Sequence, residues 1–186
     1  VIWRQNDPPL QAPDVREVRG RGDDMTYFIG IDPGLSGAIA RYDPATNDLA
    51  VYDVPTYELK RNGKTKREVD LHSLARIMDD LTKLPGGSIL IEQVGSMPGQ
   101  GVSSVFAFGK VYGILLGVSA ATFVPLDTIT PAVWKKAMGV TASKDGSRAK
   151  VSSLLPQWSQ YWARVKDDGR AEAALLAIYA SKKDGK

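Results

Sequence analysis

Thr26 to Ile31 reads TYFIGI, a run of β-branched and aromatic residues that stops on Asp32-Pro33-Gly34. Residues of this kind favour a pleated, half-buried strand, and a Pro-Gly pair is strong punctuation after one. A strand that ends on an acid and then turns sharply predicts a sheet with a carboxylate at its edge. Strand ends are where α/β sheets place their ligand sites. Gly37 to Tyr42 and Leu49 to Val54 read as two further strands, with a turn from Asp43-Pro44 to Asp48 between them. Together the three predict an antiparallel meander.

The remaining chain alternates. Residues 55–69 read as a polar connection. Asp70 is placed to cap a helix running to about Lys83, with Leu71, Leu74, Ile77, Met78 and Leu81 on one face. Pro85-Gly86-Gly87 ends that helix. Ser88 to Glu92 (SILIE) is a short apolar strand that again ends on an acid. A glycine-rich loop follows, then a helix from Ser104 to about Ala121, a strand from Thr122 to Leu126, and short helices over Thr130–Met138 and Lys144–Leu155. Pro156 to Lys166 reads as irregular, with Trp158, Tyr161 and Trp162 as core or rim packing. A last helix runs from about Asp168 to Ser181. This order predicts an α/β protein, a mixed five-stranded sheet with helices on both faces.

Residues 1–24 stand apart: Pro8, Pro9 and Pro13 sit among mixed charges, and no apolar segment of a secretory signal is present. They are expected to form a disordered leader, with Met25 as an alternative start, which leaves residues 25–186 as one domain. No apolar run reads as long enough to span a membrane; the nearest, Val111 to Pro125, is broken by glycines and a serine.

Two compositional facts narrow the chemistry. The chain has no cysteine, and its single histidine is His72, near a helix start and expected at the surface. Thiolate zinc sites, cysteine nucleophiles and multi-histidine metal sites are excluded, and a Ser-His-Asp triad is disfavoured. A hydrolase of this composition has to work with carboxylates. The formal net charge of +3 leans mildly toward nucleic acid.

The acids fall in three segments. Asp32 and Glu92 close strands, and Asp168 and Glu172 lie four residues apart, on one face of the last helix. If these segments meet, four carboxylates gather in one place, and like charges need cations between them. Mg²⁺ suits such a set, since it takes oxygen ligands and keeps several waters. A pair of such ions roughly 4 Å apart can activate water and stabilise the leaving oxygen of a phosphodiester. The competing reading of Asp168 and Glu172 is the acidic first turn that favours a helix dipole.

At these residues the chain resembles a family. Gly30-Ile31-Asp32-Pro33-Gly34 with Ser36-Gly37-Ala38 resembles the first motif of RuvC-type Holliday-junction resolvases, Ile91-Glu92-Gln93 the second, and Lys166 to Ala173 (KDDGRAEA) the C-terminal motif in its phage-type and chloroplast-resolvase variant. The resemblance covers about residues 25–182. It implies an RNase H-like fold and a homodimer acting on four-way junction DNA in recombination and repair. It also implies two-metal hydrolysis leaving 5′-phosphate ends, with Mg²⁺ as the cofactor and Mn²⁺ as a substitute. Asp32, Glu92, Asp168 and Glu172 become the metal-binding, catalytic set, with Asp167 a secondary candidate. Many bacterial members space the last two acids by three residues and end on Asp; the four-residue spacing here shares a helix face equally well. A cytoplasmic setting in a bacterium or phage-infected cell is expected, ahead of an organellar nucleoid.

Basic and glycine-rich segments surround these motifs. Lys60, Arg61, Lys64, Lys66 and Arg67 fall within eight residues around Asn62-Gly63, as either a solvated hairpin tip or a phosphate-gripping arm. Lys135, Lys136, Lys144, Arg148 and Lys150 form a second group, and the resemblance assigns Ser143 to Lys150 to DNA-backbone contact. The loop Gly95 to Ser104 follows Glu92 and is either a flexible cap for the next helix or a base-reading element. The resemblance favours the second, which makes Gln100, Gly101, Val102 and Ser103 DNA-binding candidates. Phe106 and Phe108 read as core residues. Gly109, Gly113 and Gly117 strip one helix face, against which either the chain's own sheet or a partner helix packs; the resemblance favours a dimer contact there.

Three other functions compete. A sugar-kinase or actin-like ATPase shares the strand-Asp-Gly opening, but it needs two domains and far more than 186 residues. A non-catalytic branched-DNA binding module would use the basic groups and the glycine loop, with the acids serving structure, and a general RNase H-type nuclease would share the metal chemistry with a different substrate.

Overall fold

The computed structural model describes residues 27–61, 63–95, 99, 101–143 and 145–184. The expected leader, Gln100 and Lys144 lie outside them. The three predicted N-terminal strands are β1 (Tyr27–Asp32), β2 (Ala38–Asp43) and β3 (Asp48–Asp53), an antiparallel meander. Residues expected to form a polar connection instead form a hairpin, β4 (Thr56–Arg61) and β5 (Lys64–Val69), paired as a separate two-stranded sheet. Then come α1 (Leu71–Thr82), β6 (Gly87–Glu92), α2 (Val102–Ala120), β7 (Leu126–Ile129), α3 (Pro131–Met138) and α4 (Gly146–Leu154). Two 3₁₀ helices, Pro156–Trp162 and Val165–Asp167, lead into α5 (Asp168–Asp184).

The main sheet has the order β3-β2-β1-β6-β7, with β6 and β7 parallel to β1. This is the expected mixed five-stranded α/β sheet with helices on both faces. Alternation along β1 sorts its side chains: Tyr27, Ile29 and Ile31 pack with Leu74 and Met78 of α1 and Val111 and Leu115 of α2. Phe28, with Ala38 and Ala40 of β2 and Leu90 of β6, faces α5, where Ala173, Ala174, Leu175, Leu176 and Ala177 are fully buried. That helix is apolar nearly all round because α3 and α4 cover its outer side, contributing Trp134, Met138 and Val151. Asp70 caps α1 as expected, accepting from the backbone N–H of His72 and Ser73 at 3.1 Å.

Three further expectations are corrected. The strand expected over Thr122–Leu126 is displaced to Leu126–Ile129. Ala121 closes α2, Phe123 takes the left-handed φ of 59° in the turn after it, and pairing starts only at Leu126. Phe106 and Phe108, read as core, are 75% and 38% exposed, because the helix buries only the stripe of Val111, Leu115 and Ser119 further along. The apolar run of α2 also starts at Val102 rather than Val111, so this one helix is long and apolar enough, by length and composition, to cross a membrane. Its lone charge, Lys110, pairs with Glu68 of β5 at 2.8 Å.

Candidate metal centre

Parallel pairing of β1 with β6 puts Ile31 beside Ile91. The next residues, Asp32 and Glu92, therefore leave the sheet at the same edge. Both sit in the alternation that faces α5, following Gly30 and Leu90. The N-terminal end of α5 closes over them, and glycines make this possible. A Cβ on Gly30 would lie 2.1 Å from the Ala173 carbonyl oxygen, and one on Gly169 would lie 2.8 Å from Asp32 Oδ2 and 2.7 Å from the Ser36 carbonyl oxygen. Gly37 turns the loop after β1 just as tightly, its missing Cβ lying 2.1 Å from the Asp32 carbonyl oxygen.

The result is a carboxylate triad. Oxygens of Asp32, Glu92 and Glu172 all lie within 4.8 Å of one another. Asp168, one turn before Glu172, flanks the triad, and its buried Oδ1 has no hydrogen-bond partner among the described residues. Asp167 points into a different set of contacts. It accepts two hydrogen bonds from the Arg164 guanidinium, at 2.9 and 2.8 Å, and one from the Arg164 backbone N–H. Those bonds lower its pKa to about 2 and give it a structural part.

The cluster is held from outside by residues that sequence reasoning either missed or placed elsewhere. Buried Trp134 donates its indole N–H to Glu92 Oε2 at 2.6 Å. Glu172 Oε1 accepts from Ser147 Oγ at 2.8 Å and from Lys135 Nζ at 2.5 Å. Lys135, expected on DNA, thus stands inside the acidic site. The pattern carried no signal for Trp134 or Ser147, because both reach the acids only through the packing of α3 and α4 on α5. Arg170, between the two α5 acids, turns away to a two-pronged pair with Asp53 at the end of β3, at 2.6 and 2.5 Å.

Electrostatics mark the site as short of cations. Burial holds Asp32 well above the ordinary carboxylate range, and Glu172, Glu92 and Asp168 push it further, against the opposing charge of Lys135. Burial likewise raises Glu92, with Glu172 adding to it and the Trp134 hydrogen bond opposing. Asp168 is raised by burial and by Glu172. Burial alone would lower Lys135, but its hydrogen bond to Glu172 carries it upward. Carboxylates reluctant to ionise, a buried carboxylate oxygen with no partner and an all-oxygen donor set fit a hard divalent ion of the Mg²⁺ class.

The other candidates are spread around this centre. Lys60, Lys66 and Arg67 are exposed on the hairpin, and Arg61 and Lys64 end its two strands. Arg67 reaches back to the loop after β1, donating to Ser36 Oγ at 2.8 Å. Gly101 precedes α2 as its N-cap, Val102 is 87% exposed and Ser103 is exposed beside it. Arg148 is largely buried and pairs with Asp145, and Lys150 is partly buried on α4. Among the described residues, a Cβ on Gly109, Gly113 or Gly117 would meet nothing within 4 Å, so the chain's own sheet is not what this face packs against.

No protein-family model matches the chain, and no curated protein sequence matches it. Solved structures do. The chain is similar to T. thermophilus RuvC in complex with a Holliday junction substrate, at 16% identity over 84% of this chain and 96% of that one, with a TM-score of 0.52. It is also similar to the yeast mitochondrial Holliday junction resolvase Ydc2, at 14% identity over 92% of this chain and 84% of that one, with a TM-score of 0.53. The chain has the RNase H-like fold of these RuvC-type resolvases.

Proposed function

We propose that this RuvC-like chain is a metal-dependent endodeoxyribonuclease that resolves four-way DNA junctions as a homodimer, with Asp32, Glu92, Asp168 and Glu172 holding the metal. One observation carries the reading: carboxylate oxygens from β1, β6 and α5 converge within 4.8 Å, on a fold shared with proteins named as Holliday junction resolvases. Two Mg²⁺ ions bound there, with Mn²⁺ as a substitute, would supply Lewis-acid stabilisation of the phosphoryl group and of the leaving 3′ oxygen, and would ease the ionisation of water.

The chain's own residues do the positioning. Trp134 fixes one oxygen of Glu92, Ser147 orients Glu172, and Gly169 lets α5 settle on Asp32. Lys60, Arg61, Lys64, Lys66 and Arg67 give the hairpin a row of cations for backbone phosphates. Lys135 on α3, Lys150 on α4 and Lys144 between them in sequence supply a second group, where Arg148 serves by shaping α4. Gln100, Gly101, Val102 and Ser103, just beyond Glu92, meet the junction centre. A second copy of the chain covers the glycine face of α2, which gives two sites for paired cuts in a symmetric substrate.

The test is a cleavage assay in Mg²⁺ on a four-way junction, a linear duplex and an RNA–DNA hybrid. The wild type should cut the junction only. Asp32→Asn should lose cleavage by about a thousandfold or more and keep junction binding in a gel-shift assay. Equal cutting of the hybrid would make the chain a general RNase H-type nuclease, and binding without any cutting would make it a non-catalytic junction binder.

A further inference from the structure

We infer that Lys135 is an internal counter-ion of the acid cluster, which competes with divalent ions for Glu172 and is released to a substrate phosphate when they bind. The inference rests on reading the acids as metal ligands. Lys135 Nζ sits 2.5 Å from Glu172 Oε1, and the same carboxylate belongs to the triad with Asp32 and Glu92. An ammonium and a divalent ion therefore draw on one group.

The pair is asymmetric in a way that lets only one partner leave. The Lys135 side chain is 34% exposed and that of Glu172 13%. Glu172 is fixed from below by α5 and from the side by Ser147. Lys135 lies at the solvent side, with its ammonium 5.2 Å from the centre of the Trp134 ring. Its backbone cannot drift, because neighbouring Trp134 is buried and bonded to Glu92. Release thus needs only rotation about side-chain torsions. Lysine suits the part: it is a compact, well-hydrated charge on a flexible stem, whereas a forked guanidinium would hold its carboxylate through two bonds.

Two consequences follow. Without metal, Lys135 offsets part of the repulsion among the acids. Once displaced, it stands at the mouth of the site as an uncompensated cation where a phosphodiester arrives. Metal and DNA then favour each other, and by linkage each raises the affinity of the other equally.

The experiment is calorimetric titration of the DNA-free protein with Mn²⁺ at pH 8. Lys135→Met and Lys135→Gln should bind Mn²⁺ about tenfold more tightly than the wild type, because a competing cation beside the ligand set is gone. Lys83→Met, which removes the same charge from an exposed pair with Asp80, should bind as the wild type does. Circular dichroism melts identify any variant that fails to fold, and Met and Gln have different packing demands. Unchanged or weaker Mn²⁺ binding by both folded variants overturns the counter-ion role while leaving the ligand reading intact. Failure of the wild type to bind Mn²⁺ overturns both.

Discussion

Glycines serve opposite ends on the two faces of the sheet. On the α5 face, Gly30 and Gly169 are filled in by neighbours: a Cβ would strike the Ala173 carbonyl or Asp32 itself. On the α2 face, Gly109, Gly113 and Gly117 look onto open space, and Val102 and Phe106 beside them are among the most exposed apolar side chains of the described residues. The first set is explained by the chain's own packing and the second is not. The contrast separates glycines that the described packing of the monomer explains from glycines that it leaves unexplained.

Substitution at the closed face gives the largest effects. Gly30→Ala should destabilise the protein by about 3 kcal/mol, read as a lower urea midpoint, because the clash is with backbone of α5 and no rotamer relieves it. Gly169→Ala should cost less stability and more activity: moving α5 away from Asp32 by about 1 Å should slow junction cleavage about a hundredfold. If both alanines are silent, α5 and β1 are not in register as described.

The acids themselves give the next effect. Burial and the neighbouring acids hold Asp32 well above its ordinary pKa in the folded chain and raise Glu92 and Asp168 from theirs. In the window between ordinary and raised values the folded protein holds protons the unfolded chain has lost, so stability should fall as pH rises through it. Asp53 and Asp167, both lowered by arginine hydrogen bonds, act the other way and weaken the fold only as pH drops through and below the normal carboxylate range. Without metal, thermal melts should therefore show greatest stability at mildly acidic pH. Mg²⁺ should raise the melting temperature more at pH 8 than at pH 5, and an equal rise at both would sink the link between the raised acids and metal.

The smallest effect tests the open face and has the opposite sign. Gly113→Ala should stabilise the folded monomer by about 0.5–1 kcal/mol, since alanine favours helix and meets nothing there. The same change should weaken self-association in sedimentation if a second copy packs closely on α2. Destabilisation of a dilute monomer would show that something within the chain already occupies that face.

Much of the acid site was legible in sequence because its parts are tied to punctuation. Asp32 and Glu92 each end an apolar run, and parallel pairing of β1 with β6 brings those ends together. The helical spacing of Asp168 and Glu172 needed no structure. What was not legible depends on contacts between distant segments. Lys135 read as one more surface cation until α3 packed on α5. Phe106 read as core by composition, although the buried stripe of α2 starts only at Val111 and leaves Phe106 exposed. A hairpin tip was one reading of Lys60 to Arg67, but the paired strands of β4 and β5 were not legible because they bury little: Tyr57 and Leu59 are 45% and 40% exposed. Without a buried side there is no alternation to read, and the ladder of backbone bonds leaves no trace in side-chain pattern.

Close seating of α5 on β1 carries a consequence for ion preference. The gap between Asp32 and Glu172 follows from how closely α5 sits on β1 where Gly30 meets Ala173 and Ala177, immediately beneath the acids. Widening that seam by one methyl group would enlarge the acid cluster without altering any candidate ligand, so a preference between a smaller and a larger divalent ion would be tuned from the interior rather than from the rim.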